Sequence, residues 1–138
     1  MKIFVHESIT GGGLDSSRIV PTLLAEGRMM LQALLTDLLR LEDHQILLLI
    51  DRSRVKRVPR HHSLRVIDSG RDYRRIFVEL VEEADAAFLI APEAAGLLEG
   101  LTAVVEASGK LVLGSAATGI KAAGDKVLTH QLLTSSNI

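Results

Sequence analysis

The chain has no cysteine and no tryptophan, and aromatic residues make up only 3% of it. Without cysteine there is no disulfide and no thiol chemistry, a pattern compatible with a reducing compartment. With so few rings the core must be aliphatic, and stacking of bases on interleaved aromatic side chains is not available. An excess of charge of one sign is lacking too: 16 Lys and Arg stand against 17 Asp and Glu, a net charge of -1, which gives no long-range pull on nucleic acid or an anionic membrane. No apolar run approaches the roughly 20 residues of a membrane span, and the amino terminus lacks the basic and apolar regions of a secretory signal. The expectation is a soluble, cytoplasmic chain with neither nucleic acid nor membrane as partner.

What is present is aliphatic: 47% of the 138 residues are hydrophobic. That length fits one domain, and the composition suits helices packed on a parallel sheet. The chain opens with MKIFVHESITGGG, a short apolar strand running into a polar loop with three glycines. Ile3, Phe4 and Val5 are strand formers. Gly11, Gly12 and Gly13 permit positive φ and a close backbone approach to a ligand. Asp15, Ser16 and Ser17 read as turn or cap residues, and Pro21 fits a first helical turn. A long helix should follow, because Leu24, Leu31, Leu34, Leu35, Leu38 and Leu41 recur at helical spacing. Gly27 weakens it by about 1 kcal/mol relative to Ala, for which close packing is the explanation to test.

Gln45 to Asp51 is a continuous apolar run ending in a charge, the pattern of a central strand buried on both faces. Arg52 to His62 reads as a basic, solvated loop. Leu64 to Ile67 gives a third strand, with Asp68 or Ser69 capping a helix from about Asp72 to Glu83 whose stripe is Tyr73, Ile76, Phe77, Leu80 and Val81. Ala86 to Ala91 is a fourth strand, and Pro92 then turns Glu93 outward. Leu97 to Ala107 is helical, Gly109 stops it, and Lys110 to Leu113 is a fifth strand. Two short helices follow, broken at Gly124, with Asp125 capping the second. The fold class is therefore α/β: an open, mostly parallel five-stranded Rossmann-like sheet with helices on both faces, in the order 3-2-1-4-5. That order makes strands 1 and 4 neighbours, so the Glu7 and Glu93 loops flank one crevice at the carboxyl edge, where such sheets bind ligands.

The pieces HESITGGG, LLAEGRMMLQALLTDLLRL, LLLIDR, ADAAFLIAPEAAGLLEGLT, GKLVLGS and GDKVLTHQLL together resemble the amino-terminal part of ATP-grasp ligases, closest to the tyramine-glutamate ligase-like group. The resemblance implies one pre-ATP-grasp domain over residues 1–138, with 124–138 as a terminal helix or linker toward an ATP-grasp catalytic domain that these residues do not include. It implies a reaction in which ATP, with Mg2+ neutralising phosphate charge, converts a carboxylate to an acyl phosphate that an amine then displaces. The substrates would be a small amino acid or amine, and neither ATP nor Mg2+ is expected to bind tightly to these residues alone. No side chain is assigned a catalytic or metal-ligating role.

Carried onto HESITGGG and APEAAG, the resemblance makes Glu7, Thr10, Gly11, Gly12, Gly13 and Glu93 substrate-binding candidates, with the two carboxylates facing the crevice and loop N–H groups offered to an anion. The alternative is solvated strand-end charges on an ordinary loop. Lys126 in GDK matches a nucleotide-binding lysine of the family, against the alternative of an exposed helical lysine. Ser115 caps a helix or lines the crevice. His6 is either a proton carrier or a hydrogen-bonded core residue. Asp51 sits where a dinucleotide-binding fold places its ribose acid, but the glycine pattern and spacing differ from that fingerprint. His61 and His62 are adjacent and poorly placed to share a metal. The reading from another class is a stand-alone ligand-binding or assembly module without ATP. Leu128, Leu132 and Leu133 are expected to pack into a homodimer or a partner domain.

Overall fold

The computed structural model describes residues 1–15, 17, 19–70 and 72–136. Ser16, and Asn137 and Ile138 at the end of the terminal segment, lie outside them. The strands are β1 (Lys2–Glu7), β2 (Gln45–Ile50), β3 (Leu64–Asp68), β4 (Ala86–Ile90) and β5 (Leu111–Val112). The helices are α1 (Pro21–Leu38), α2 (Tyr73–Glu83), α3 (Leu97–Ala107), α4 (Ala117–Gly124) and α5 (Lys126–Ser135). The sheet order is β3-β2-β1-β4-β5, and all four strand pairs are parallel.

The alternation of side chains along a strand divides β1 between two cores. Ile3 and Val5 face Leu31 and Leu35 of α1, together with Ile46, Leu48 and Ile50 of β2. Phe4 faces the other way, onto Phe77, Leu80 and Val81 of α2, Val105 of α3, and Leu47 and Leu49 of β2. This explains why β2 reads as an unbroken apolar run: every second residue serves a different core. The same alternation sends the last two residues of β1 in opposite directions, His6 toward α2 and Glu7 toward α1.

The long helix is one turn shorter than its leucine pattern. α1 stops at Leu38, and Leu41 is exposed. Asp68 and Ser69 do not cap α2. The Asp68 carboxylate accepts from the Gly70 N–H within the preceding turn, and α2 has no side-chain cap. Asp125 does cap α5, accepting from the Val127 and Leu128 N–H groups at 2.9 and 3.1 Å, and Ser17 turns back onto Asp15. No helix among the described residues is long and apolar enough to cross a membrane.

Candidate functional site

β1 and β4 are neighbours, with Glu7 beside Ile90, and the Ser8 N–H donates to the Ile90 carbonyl at 2.9 Å. The loops carrying the glycines and Glu93 therefore leave adjacent strand ends at the carboxyl edge, as the topology required. Their contents differ in accessibility. Glu93 is exposed and lines a cavity of about 160 Å³ together with Leu89, Thr102 and Ser115. Ala95 beside it holds φ 57°, a left-handed conformation uncommon outside glycine. Ser115 contributes to this wall and does not cap α4, whose cap position is Ala116 without a side-chain hydrogen bond.

Glu7 does not face an open crevice. It is fully buried, and its two carboxylate oxygens accept from the chain's own loop: Oε1 from the Ile9 N–H at 3.0 Å and Oε2 from the Thr10 N–H at 2.8 Å. Above it lies Gly27 of α1, where a Cβ would come within 2.7 Å of Oε2. The helix glycine is thus a seat for the carboxylate. Thr10 is fully buried too, its carbonyl accepting from the Asp51 N–H at 2.7 Å. The Gly11 N–H donates to the Glu7 carbonyl and the Gly13 N–H to the Ser8 carbonyl, both at 2.8 Å. Four loop N–H groups, those of Ile9, Thr10, Gly11 and Gly13, are therefore engaged internally. In this conformation they are not presented to an anion.

The glycines are required by the chain's own side chains. A Cβ on Gly11 would lie 2.5 Å from the His6 ring, and one on Gly13 would lie 2.9 Å from the Tyr73 hydroxyl. Gly12 has φ 94°, and its Cβ would meet the Ser69 Oγ at 2.7 Å. The loop lies flat over a polar pair, His6 and Tyr73, whose Nε2 and hydroxyl are 2.9 Å apart.

His6 is a core residue with that one hydrogen-bond partner among the described residues, flanked by Phe4, Phe77 and Tyr73. Burial lowers its pKa to about 3 and pushes the Tyr73 phenol up, so both are neutral near pH 7. An unfolded chain takes up the imidazole proton first as the pH falls through about 6.5. His6 therefore contributes stability above that pH, lost progressively between about 6.5 and 3. Urea unfolding at a series of pH values should show a steeper acid loss for wild type than for His6→Gln, by at most one proton's slope, about 1.4 kcal/mol per pH unit. Parallel profiles would contradict the buried neutral imidazole.

Arg54 was hidden in the basic run. It is nearly buried, with Nη1 donating to the Ile9 carbonyl at 2.8 Å, Nη2 to the Leu14 carbonyl at 2.7 Å, and Nε paired with Asp51 at 2.9 Å. Asp51 thus holds the arginine that fastens the glycine loop. Its partners alone set Arg54 apart from Arg52 and Arg57, since all three sit in the same cationic sequence.

Lys126 is exposed in the first turn of α5. Among the described residues no three His, Cys, Asp or Glu side chains come together to hold a metal ion. Among the substrate- and nucleotide-binding candidates only Lys126 offers a nucleotide phosphate a cation, with the glycine-loop N–H groups largely engaged. These residues do not by themselves fit ATP and Mg2+, and no step through either is assigned to them.

The fold and its edge define a class: a doubly wound parallel α/β domain whose first and fourth strands are neighbours at the switch point, the place where such sheets bind ligands. The family model described as the pre ATP-grasp 3 domain matches residues 44–120, more than half of the chain, and the chain belongs to that family. The crystal structure of an ATP-grasp superfamily protein from Archaeoglobus fulgidus is similar in fold, with a TM-score of 0.72 at 22% identity over 98% of this chain. The chain spans 40% of the length of that structure. No curated protein matches it.

Proposed function

We propose that the chain is the substrate-side N-terminal domain of an ATP-dependent carboxylate-amine ligase, of the tyramine-glutamate ligase-like kind, acting with an ATP-grasp catalytic domain. The observation that carries this is family membership joined to the arrangement of the carboxyl edge, where the glycine loop and the Glu93 loop leave adjacent strand ends. Glu93 is the accessible carboxylate and would pair with the ammonium of a small amine or amino acid. Glu7, Thr10 and the glycines act by fixing the loop at the neighbouring strand end. The partner domain would hold ATP and Mg2+ and carry out the acyl-phosphate chemistry, with Lys126 reaching toward the nucleotide from α5. A module that binds a ligand without ATP is the second reading, favoured by the engagement of the loop N–H groups within the chain itself.

Partnership gives α5 its role in this proposal. The helix packs on α4, has no buried residue, and leaves Val127, Leu132 and Leu133 exposed while Leu128 is half-buried. We expect a partner domain, or a second copy, to cover this row. Leu132→Glu should abolish association in light scattering across a concentration series, with or without an ATP-grasp domain added. It should change folding stability by no more than about 0.5 kcal/mol, as for a surface substitution. A monomer at every concentration that binds no such domain, and that Leu132→Glu destabilises as a core substitution would, contradicts it.

A further inference from the structure

The connection from β2 to β3 contains no helix. Residues 51–63 instead recross the α1 side of the sheet as a strap, with Val55 buried in that core and Val58 packed against it. α1 grips the strap through Arg28, whose Nε donates to the Arg54 carbonyl at 2.8 Å and whose Nη2 donates to the same oxygen. A strap is thinner than a helix, so a groove of about 570 Å³ is left between it and α1. That lies within the range of small-molecule sites, roughly 300–1,000 Å³.

The groove has two kinds of wall. Leu31, Leu35 and Val55 form an apolar floor, and Arg28, Lys56 and Arg57 form a cationic rim with no carboxylate among the lining side chains. Lys56 and Arg57 are exposed, and neither is in an ion pair among the described residues. This is what the basic run from Arg52 to His62 builds once Arg54 is withdrawn into the fold. An inorganic anion would leave the floor wet, and a neutral apolar molecule would leave the rim unanswered.

We propose that this groove binds an amphiphilic anion, a single apolar body ending in a carboxylate or an equivalent anionic head, with the body along α1 and the head at Lys56 and Arg57. The site shares no lining residue with the Glu93 cavity and stands independently of the ligase reading. Calorimetric titration of the full chain with decanoate, decanol and acetate tests it. Decanoate should bind, and more weakly at high salt, because the head contact is partly exposed. Decanol and acetate should each bind at least about tenfold more weakly. Lys56→Glu combined with Arg57→Glu, and separately Gln32→Trp, which fills the groove from its exposed wall, should each weaken decanoate by about tenfold or more with unchanged melting temperature. Any one of four results overturns the proposal: no decanoate binding, equal binding of decanol, equal binding of acetate, or decanoate affinity unmoved in both variants.

Discussion

Gly27→Ala is expected to destabilise the fold by about 2 kcal/mol, although helix propensity alone predicts a gain of about 1 kcal/mol at an interior helical position. The sign is decided by Glu7. A methyl group at position 27 would sit 2.7 Å from Oε2 and 3.0 Å from the carboxyl carbon, and the carboxylate is fixed by the Ile9 and Thr10 N–H groups. Overpacking of a closed site costs about 1–3 kcal/mol, and displacing Oε2 from the Thr10 N–H adds about 1–3 kcal/mol for an unsatisfied buried group. Gly100→Ala in α3 is the control, since nothing lies within 4 Å of a Cβ there, and it should be neutral or stabilising by up to about 1 kcal/mol. In thermal melts the Gly27→Ala transition should fall, and the Gly100→Ala transition should hold or rise. A stabilised Gly27→Ala protein would mean that the carboxylate is not held beneath the helix.

Glu7→Ala should cost more, about 3–5 kcal/mol, because it orphans two buried N–H groups at about 1–3 kcal/mol each and opens a cavity under α1. For a domain of ordinary stability, about 5–15 kcal/mol, that is a large fraction of the total. The distinctive result is coupling. With the carboxylate gone, the alanine methyl at position 27 has room, so Gly27→Ala should be neutral or stabilising in the Glu7→Ala background, a double-mutant interaction of about 2 kcal/mol. Hydrogen exchange at Ile9 and Thr10 should lose protection in Glu7→Ala alone. Additive effects with protected amides would contradict the carboxylate clamp.

The topology was legible because the signals for it are local: an apolar run for β2, a leucine repeat for α1, a proline after β4, and one helix between most strands. Even the doubt over Gly27 was correctly placed, since a glycine inside a strong helical pattern calls for a neighbour that needs the space. What the pattern could not supply was that neighbour. The triple glycine resembles a loop opened for a ligand, yet the side chains that crowd it are those of His6, Ser69 and Tyr73, and the last two come from distant parts of the chain. Arg54 is the same lesson in charge: its carbonyl partners lie 45 and 40 residues away, so nothing in the basic run marks it as the one cation drawn inside. Glu7 and Glu93 looked equivalent as strand-end acids. Strand parity and the seat at Gly27 buried one, and the turn after Pro92 left the other exposed.

The proposed dependence of this domain on an ATP-grasp partner is tested most directly by magnesium-dependent ADP release, measured with amine and carboxylate substrates for the 138 residues alone and together with an ATP-grasp catalytic domain that binds them. The ligase proposal predicts no turnover by the chain alone. With the partner it predicts substrate-dependent turnover that falls when Lys126→Ala or Glu93→Gln is introduced. Magnesium-dependent turnover by the isolated chain, abolished by Lys126→Ala in contaminant-free protein, would contradict it.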